Sequence, residues 1–231
     1  MTTIAIMQPT YIPWLGYFAL MDQVDTFVYL DSVQFDKRSW QQRNRIKNQN
    51  GVQLLTIPVI SKGLRAQTIK EVQIDKTSNF AAKHIRSISM SYSKTPYFNE
   101  YKDDFFSILK NDYKYLSDLT INIILFIKDL LGIKCKFEKS SLMNIEGKKA
   151  GLLANICKYL SADTYISPVG SETYLEKSTE FLEKDIKIKY NDYIHPMYNQ
   201  PYGNFISHLS IIDLLFNEGH NSLNIIQKGY K

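Results

Sequence analysis

Residues 8–18 read QPTYIPWLGYF and directly follow the apolar run TTIAIM at 2–7. A continuous apolar run of that kind reads as a buried strand. Pro13 then opens a helix near its first turn, with Trp14, Leu15, Phe18, Leu20 and Met21 as its apolar positions. A strand that ends in Gln-Pro and reaches Gly16 before an apolar helix is a common place for an α/β enzyme to hold a nucleotide. Glycine lets a backbone approach a ligand, and a helix N-terminus favours an anion. Many such turns carry His-x-Gly-His, whereas this one carries Trp14-Leu15-Gly16-Tyr17. Three readings stay open: a nucleotide site without its histidines, a different active site, or an aromatic turn packed inward.

Outward from this stretch, strand and helix patterns alternate. Residues 26–30 (TFVYL) read as a second buried strand ending at Asp31, and 52–59 as a strand after a long polar and basic loop. A short strand is expected over 69–74. Helices are expected over 79–92, 99–109 and 117–131, the last with Ser117 as N-cap. Further on, 133–138, 162–167 and 186–190 have strand character. Residues 148–160, 171–184 and 205–216 have helical character. Alternation at both ends around a helical block argues for one α/β domain, Rossmann-like, with a mostly parallel sheet and a helical middle portion at about 79–131. Active sites in such sheets gather at the carboxyl ends of strands.

The totals fit that picture. The chain has 231 residues, 44% hydrophobic and 22% charged, enough for a full core. The most apolar stretch, 119–133, is interrupted by Asn122, Lys128 and Asp129, so membrane insertion is not expected. The N-terminus lacks the basic region and cleavage site of a secretion signal. With only Cys135 and Cys157, a disulfide is not expected and a reducing, cytoplasmic location is. The net charge of +5 suits an anionic substrate and permits RNA contact. Sixteen tyrosines offer flat faces with hydroxyls, suited to sugars and bases.

Two segments carry most of the candidate chemistry. In DSVQFDKRSWQQRNRIK at 31–47, Lys37, Arg38, Arg43, Arg45 and Lys47 surround Trp40 and Phe35. Arginine grips phosphate in bidentate fashion and tryptophan stacks on a base or sugar, so this loop reads as a pyrophosphate site. A solvated basic loop would have little use for the aromatics. In the first segment, Gln8 at a strand end can hydrogen-bond a base or sugar. SPVG at 167–170 leads into Ser171 and a further helix start, again favourable to anions. His84, on a helix beside Lys83 and Arg86, is a candidate general base. His195 and His208 carry a weaker signal, His208 lying on an expected apolar helix. No Walker A, dinucleotide-binding, nucleophile-elbow or zinc-spacing motif occurs, and no metal site is expected.

Taken together, these segments resemble the WbqC-like family. The resemblance rests on IMQPTYIPWLGYF at 6–18 and DTFVYLDSVQFDKRSWQQRNRI at 25–46. It continues through KHIRSI with YSKTPYF, YISPVGS at 165–171 and LSIIDLLFN at 209–217. It implies involvement with unusual sugars in surface polysaccharide, such as O-antigen, biosynthesis, and names no reaction. The family's motif positions fall on Gln8, Pro9, Pro13, Gly16, Tyr17, Asp31, Gln34, Lys37, Arg38, Trp40, Arg43, Asn44, His84, Tyr92, Pro168, Gly170 and Asp213.

The expected function is a transferase that N-acylates or N-aminoacylates a nucleotide-linked amino sugar. On this reading His84 or Asp31 is the catalytic base. Gln8, Tyr11, Gly16, Tyr17, Gln34, Lys37, Arg38, Trp40, Arg43, Asn44, Lys47, Gly170 and Ser171 bind substrate. The partners expected are a dTDP- or UDP-linked sugar and an aminoacyl-tRNA or other activated acyl donor, with an oligomer allowed and the cofactor unassigned. The alternatives are an ATP-using nucleotidyltransferase or ligase, weakened by the absent histidines, and a non-catalytic assembly protein.

Overall fold

The computed structural model describes residues 1–176 and 178–231. Its main sheet contains β1 (Thr3–Met7), β2 (Thr26–Tyr29), β5 (Lys136–Lys139), β6 (Thr164–Pro168) and β7 (Lys187–Asn191). The strands are ordered β5-β2-β1-β6-β7 and every neighbouring pair is parallel. Strand identity follows from alternation between two covered faces. Ala5, Phe27, Tyr29 and Ile166 point into one core, whereas Ile4, Ile6, Val28 and Tyr165 point into another. The first core is closed by α1 (Leu15–Asp22), α2 (Phe80–Tyr92), α3 (Phe98–Lys110), α4 (Leu116–Leu130), α7 (Ile211–Glu218) and α8 (Ser222–Gln227). The second is closed by α5 (Lys149–Tyr159) and by Leu175 of the short α6 (Glu172–Leu175). The expected α/β architecture with its helical middle is therefore present.

An antiparallel hairpin, β3 (Arg43–Asn48) with β4 (Gly51–Thr56), stands apart from the main sheet. β4 matches the strand expected over 52–59, whereas β3 lies inside the expected loop because RNRIKN has Ile46 as its one apolar residue. Ile46 and Leu55 nevertheless pin the hairpin to the first core. Gly51 takes the left-handed backbone (φ 99°) that the tight connection requires.

Several other local expectations change. Residues 69–71 form a single 3-10 turn rather than a strand, with Thr68 and Glu71 making a reciprocal capping box. Ser117 lies inside α4, whose N-cap is Tyr115. The helix expected over 171–184 shrinks to α6 and a later 3-10 turn at Leu182–Lys184. The helix expected from 205 begins at Ile211, so His208 lies outside it. Among the described residues, no helix is long and apolar enough to cross a membrane.

Candidate functional site

Counted along the chain, the five sheet strands have the spatial order 3-2-1-4-5. Successive connections leave β1 on one side and enter through β6 on the other, which opens a crevice at their carboxyl ends. Three adjoining cavities of about 290, 460 and 260 Å³ occupy that crevice, and Met7, the last residue of β1, lines all of them. The first is walled by Trp14, Tyr17, Trp40, Asn44, Arg45 and His208. Gln8, Asp36, Ser39, Gln41, Ser167 and Ser171 line the second, which shares Thr10 and Trp40 with the first. The third runs past Gly16, Gly170, Asn191, Asp192 and Tyr193.

The turn after β1 is strained and clamped. Ile12 has φ 43°, a left-handed conformation that a β-branched side chain strongly disfavours. Asn44, from β3, donates its side-chain amide to the carbonyls of both Tyr11 (3.0 Å) and Ile12 (2.7 Å). The Tyr11 N–H donates to the Trp40 carbonyl at 2.9 Å. Backbone strain held by several independent bonds is characteristic of functional sites. At Gly16, an added Cβ would lie 2.1 Å from the Trp14 indole. The glycine therefore makes room for that ring to lie back over the start of α1.

The C-terminal segment completes the wall. The Ile211 N–H donates to the Pro13 carbonyl and the Ser210 N–H to the Arg45 carbonyl, both at 2.8 Å. His208 precedes this stitch with φ 58°, and its carbonyl accepts from Arg45 Nη2 at 3.0 Å. Its ring stacks on Trp14 with centroids 4.8 Å apart, and His195 stacks on the same indole from 6.0 Å. The two imidazoles are 5.0 Å apart. A carbonyl can only accept, so His195 Nδ1 carries the proton donated to the Pro196 carbonyl at 2.9 Å. The lone pair of His195 is thus on Nε2, which is buried with no partner. Burial holds both histidines below their usual pKa: His195 at about 4, helped by His208, and His208 lowered further by the Arg45 charge. Both are neutral near pH 7. Little in the sequence signals this pair, because its proximity to Trp14 is purely tertiary.

The residues expected from sequence divide into two groups. Gln8, Gly16, Tyr17, Trp40, Asn44, Gly170 and Ser171 line the crevice. Lys37 and Arg38 are exposed, between the lining residues Asp36 and Ser39. The rest are held elsewhere. Gln34 bridges to Thr68 and donates to the Arg65 carbonyl. Arg43 begins β3 with its Nε buried and unpartnered. Asp31, 2% exposed, accepts from the Ser141 N–H and the Ser140 and Ser141 hydroxyls, which ties the end of β2 to the turn after β5.

His84, 5% exposed, meets the Tyr11 hydroxyl at 2.8 Å through Nδ1. The pair lies in the core, away from the three cavities. Burial lowers the His84 pKa to about 4. Lys47, 1% exposed, donates to the Asn204 carbonyl (2.6 Å) and to Gln200 (3.3 Å). Desolvation lowers its pKa, opposed by the charge of Asp213. Asp31 and His84 do not share a cavity, and neither lines the crevice. Tyr92 and Asp213, also singled out by the resemblance, meet in the core, the tyrosine hydroxyl donating at 2.8 Å.

Fold and crevice together define an α/β protein with a ligand-type cleft at the switch point of a parallel sheet. More narrowly, the chain belongs to the WbqC-like protein family, whose profile matches residues 8–225. It is similar to an uncharacterized protein of Mycobacterium tuberculosis, Rv1507c, with 37% identity over 221 residues, 95% of each chain. No solved structure matches. Membership of this family suggests a role in polysaccharide biosynthesis.

Proposed function

We propose that the protein is a transferase that acylates or aminoacylates the amine of a nucleotide-linked amino sugar, with the switch-point crevice as its active site. The observation that carries this reading is the first cavity. There a neutral imidazole, His208, stands beside an arginine and two indoles at the carboxyl end of the central strand. The indoles suit the flat faces of a sugar or base. Arg45 in the cavity and Lys37 and Arg38 on the adjoining loop are placed for the phosphates. His208 replaces His84 and Asp31 as the proton acceptor, because it lines the cavity and they do not; its Nδ1 meets the Ser207 hydroxyl at 2.8 Å, which leaves Nε2 for the substrate amine.

The chemistry asks little of the protein beyond orientation and one proton transfer. The substrate amine attacks the carbonyl carbon of the activated donor, so that a C–N bond forms and the bond to the donor's oxygen or sulfur breaks. His208 takes the proton from the amine and returns it to the departing oxygen or sulfur. Incubation with a dTDP- or UDP-linked amino sugar and, in turn, acyl-CoA, aminoacyl-tRNA and ATP plus amino acids tests this by mass spectrometry. The sugar should gain the mass of one acyl group, and the gain should vanish in His208→Asn. No gain with any donor overturns the reading.

One observation favours a second reading. The imidazoles absent from the turn at 13–17 are brought to it by His195 and His208, stacked on Trp14. Nucleotidyl transfer from ATP at that turn then regains its histidines from a distant segment. Exchange of radiolabelled pyrophosphate into ATP, lost in either histidine variant, distinguishes it from acyl transfer.

A further inference from the structure

The largest of the three cavities has a hydrogen-bonding wall whose polarity can be worked out. The Asp36 N–H can only donate, and it donates to Gln41 at 3.1 Å, so the atom it meets is the Gln41 carbonyl oxygen. The Gln41 amide nitrogen then donates to Gln8 at 2.8 Å, which makes that atom the Gln8 carbonyl oxygen. This chain fixes both amides. Gln8 lines the cavity, and its Nε2 donates to no described residue. Gln8 therefore offers donors there and asks for a carbonyl.

Beside it stands Trp40, 48% exposed and lining both the first and second cavities. The Arg45 guanidinium lies over its ring, 5.2 Å from the centroid, and its own carbonyl is tied to the Tyr11 N–H. It is a half-exposed indole on a tethered backbone with a cation over its ring, a form that favours stacking of a planar ring. A cavity of about 460 Å³ is in the range of small-ligand sites.

We propose that this cavity is a nucleobase subsite in which the base stacks on Trp40 and Gln8 donates to its 4-carbonyl, selecting uracil or thymine. Cytosine and adenine turn an amino group, itself a donor, to the corresponding edge and leave the Gln8 hydrogens unmatched. A site built to satisfy one polar group rejects analogues that lack it far more strongly than an apolar pocket rejects a change of size. The inference rests on reading the crevice as a sugar-nucleotide site, and supplies the feature of the ligand that the protein reads.

The test is isothermal titration of the full chain with UMP, TMP, CMP and AMP, with no acyl donor present. UMP and TMP should bind about tenfold or more tighter than CMP and AMP. Gln8→Glu keeps the acceptor for Gln41 but removes the donors, and should erase the preference. Trp40→Ala alters an exposed side chain. It should weaken UMP and TMP about tenfold while their advantage over CMP persists, with Trp40→Phe recovering most of the loss. Equal binding of all four nucleotides, or a preference untouched by Gln8→Glu, overturns the proposal even if acyl transfer is found. Absence of acyl transfer alongside the expected preference leaves it standing and removes only the assigned reaction. No binding of any nucleotide overturns both.

Discussion

The crevice and the polar network behind the hairpin use the same residue types in opposite ways. In the network, donors and acceptors find each other inside the protein. Asp213, fully buried, accepts from Tyr92, Tyr198 and Gln200, each at 2.8 Å. Lys47 is similarly engaged, and the buried His84 meets the Tyr11 hydroxyl. At the crevice, polar groups are left open: Gln8 Nε2 makes no hydrogen bond to a described residue, Arg45 Nε is buried without a partner, and so is Nε2 of His195, whose ring stacks on Trp14. A buried polar atom without a partner costs about 1–3 kcal/mol. Residue type alone drew attention to Asp31, His84 and Lys47, whereas unmet bonding capacity beside the cavities points to Gln8 and Arg45, and position in the first cavity points to His208.

The contrast can be broken by substitutions on either side. The largest effect is expected for Asp213→Ala, which strands three donors and leaves the Lys47 charge uncompensated. It should cost about 3–5 kcal/mol in urea unfolding, with nucleotide affinity unchanged if the chain still folds. Next comes acid. The unfolded chain protonates His84 below pH 6.5, but the folded protein does so only near 4. The stability contributed by this group should therefore be intact above 6.5 and fall by about 3 kcal/mol on acidification to pH 4, with a loss of similar size from His195, whose folded pKa is also about 4. A His84→Gln chain should keep only the shallower slope contributed by His195, read from urea midpoints across that window.

Smaller effects on stability belong to the crevice. Gly16→Ala drives a methyl into the Trp14 indole and should cost about 1–3 kcal/mol while displacing the ring, seen as a shift in tryptophan fluorescence and weaker nucleotide binding. His208→Asn, at an exposed position whose left-handed backbone asparagine tolerates, should change stability by about 0.5 kcal/mol or less and abolish transfer. If that variant is instead strongly destabilised, or Asp213→Ala loses ligand binding while folded, the division between the two regions fails.

Most of the parallel sheet was legible because its inner strands β1 and β2 are short, continuous apolar runs and β7 alternates, and a run such as TTIAIM has few other uses. The three middle helices were legible from their apolar spacing. Of the hairpin, β4 was legible and β3 was not, because β3 is anchored by one apolar side chain, Ile46, and by the buried polar Asn44 and Lys47. The extent of the last helix was misread because Ile206 and Leu209 continue the apolar pattern of the helix back through an irregular segment that bends at His208. That error mattered for the site, since it hid His208 in an imagined core. Gln8, Trp40 and Asn44 were legible from their place at a strand end and in a basic, aromatic loop. The amide polarity of Gln8 was not, because it depends on a donor at Asp36 and a relay through Gln41.

The stitch of residues 208–211 to Pro13 and Arg45 has a consequence for how the protein is made. The first turn is synthesised well before the segment that roofs it, with most of the sheet and the helical middle in between. Until that segment emerges, Trp14 lacks both stacked imidazoles, and the strained backbone at Ile12 is missing part of its support. Contacts this distant in sequence close late in folding. The nascent chain therefore cannot hold ligand in a finished pocket until residues 208–211 have docked, and binding competence becomes a property gained in that one step.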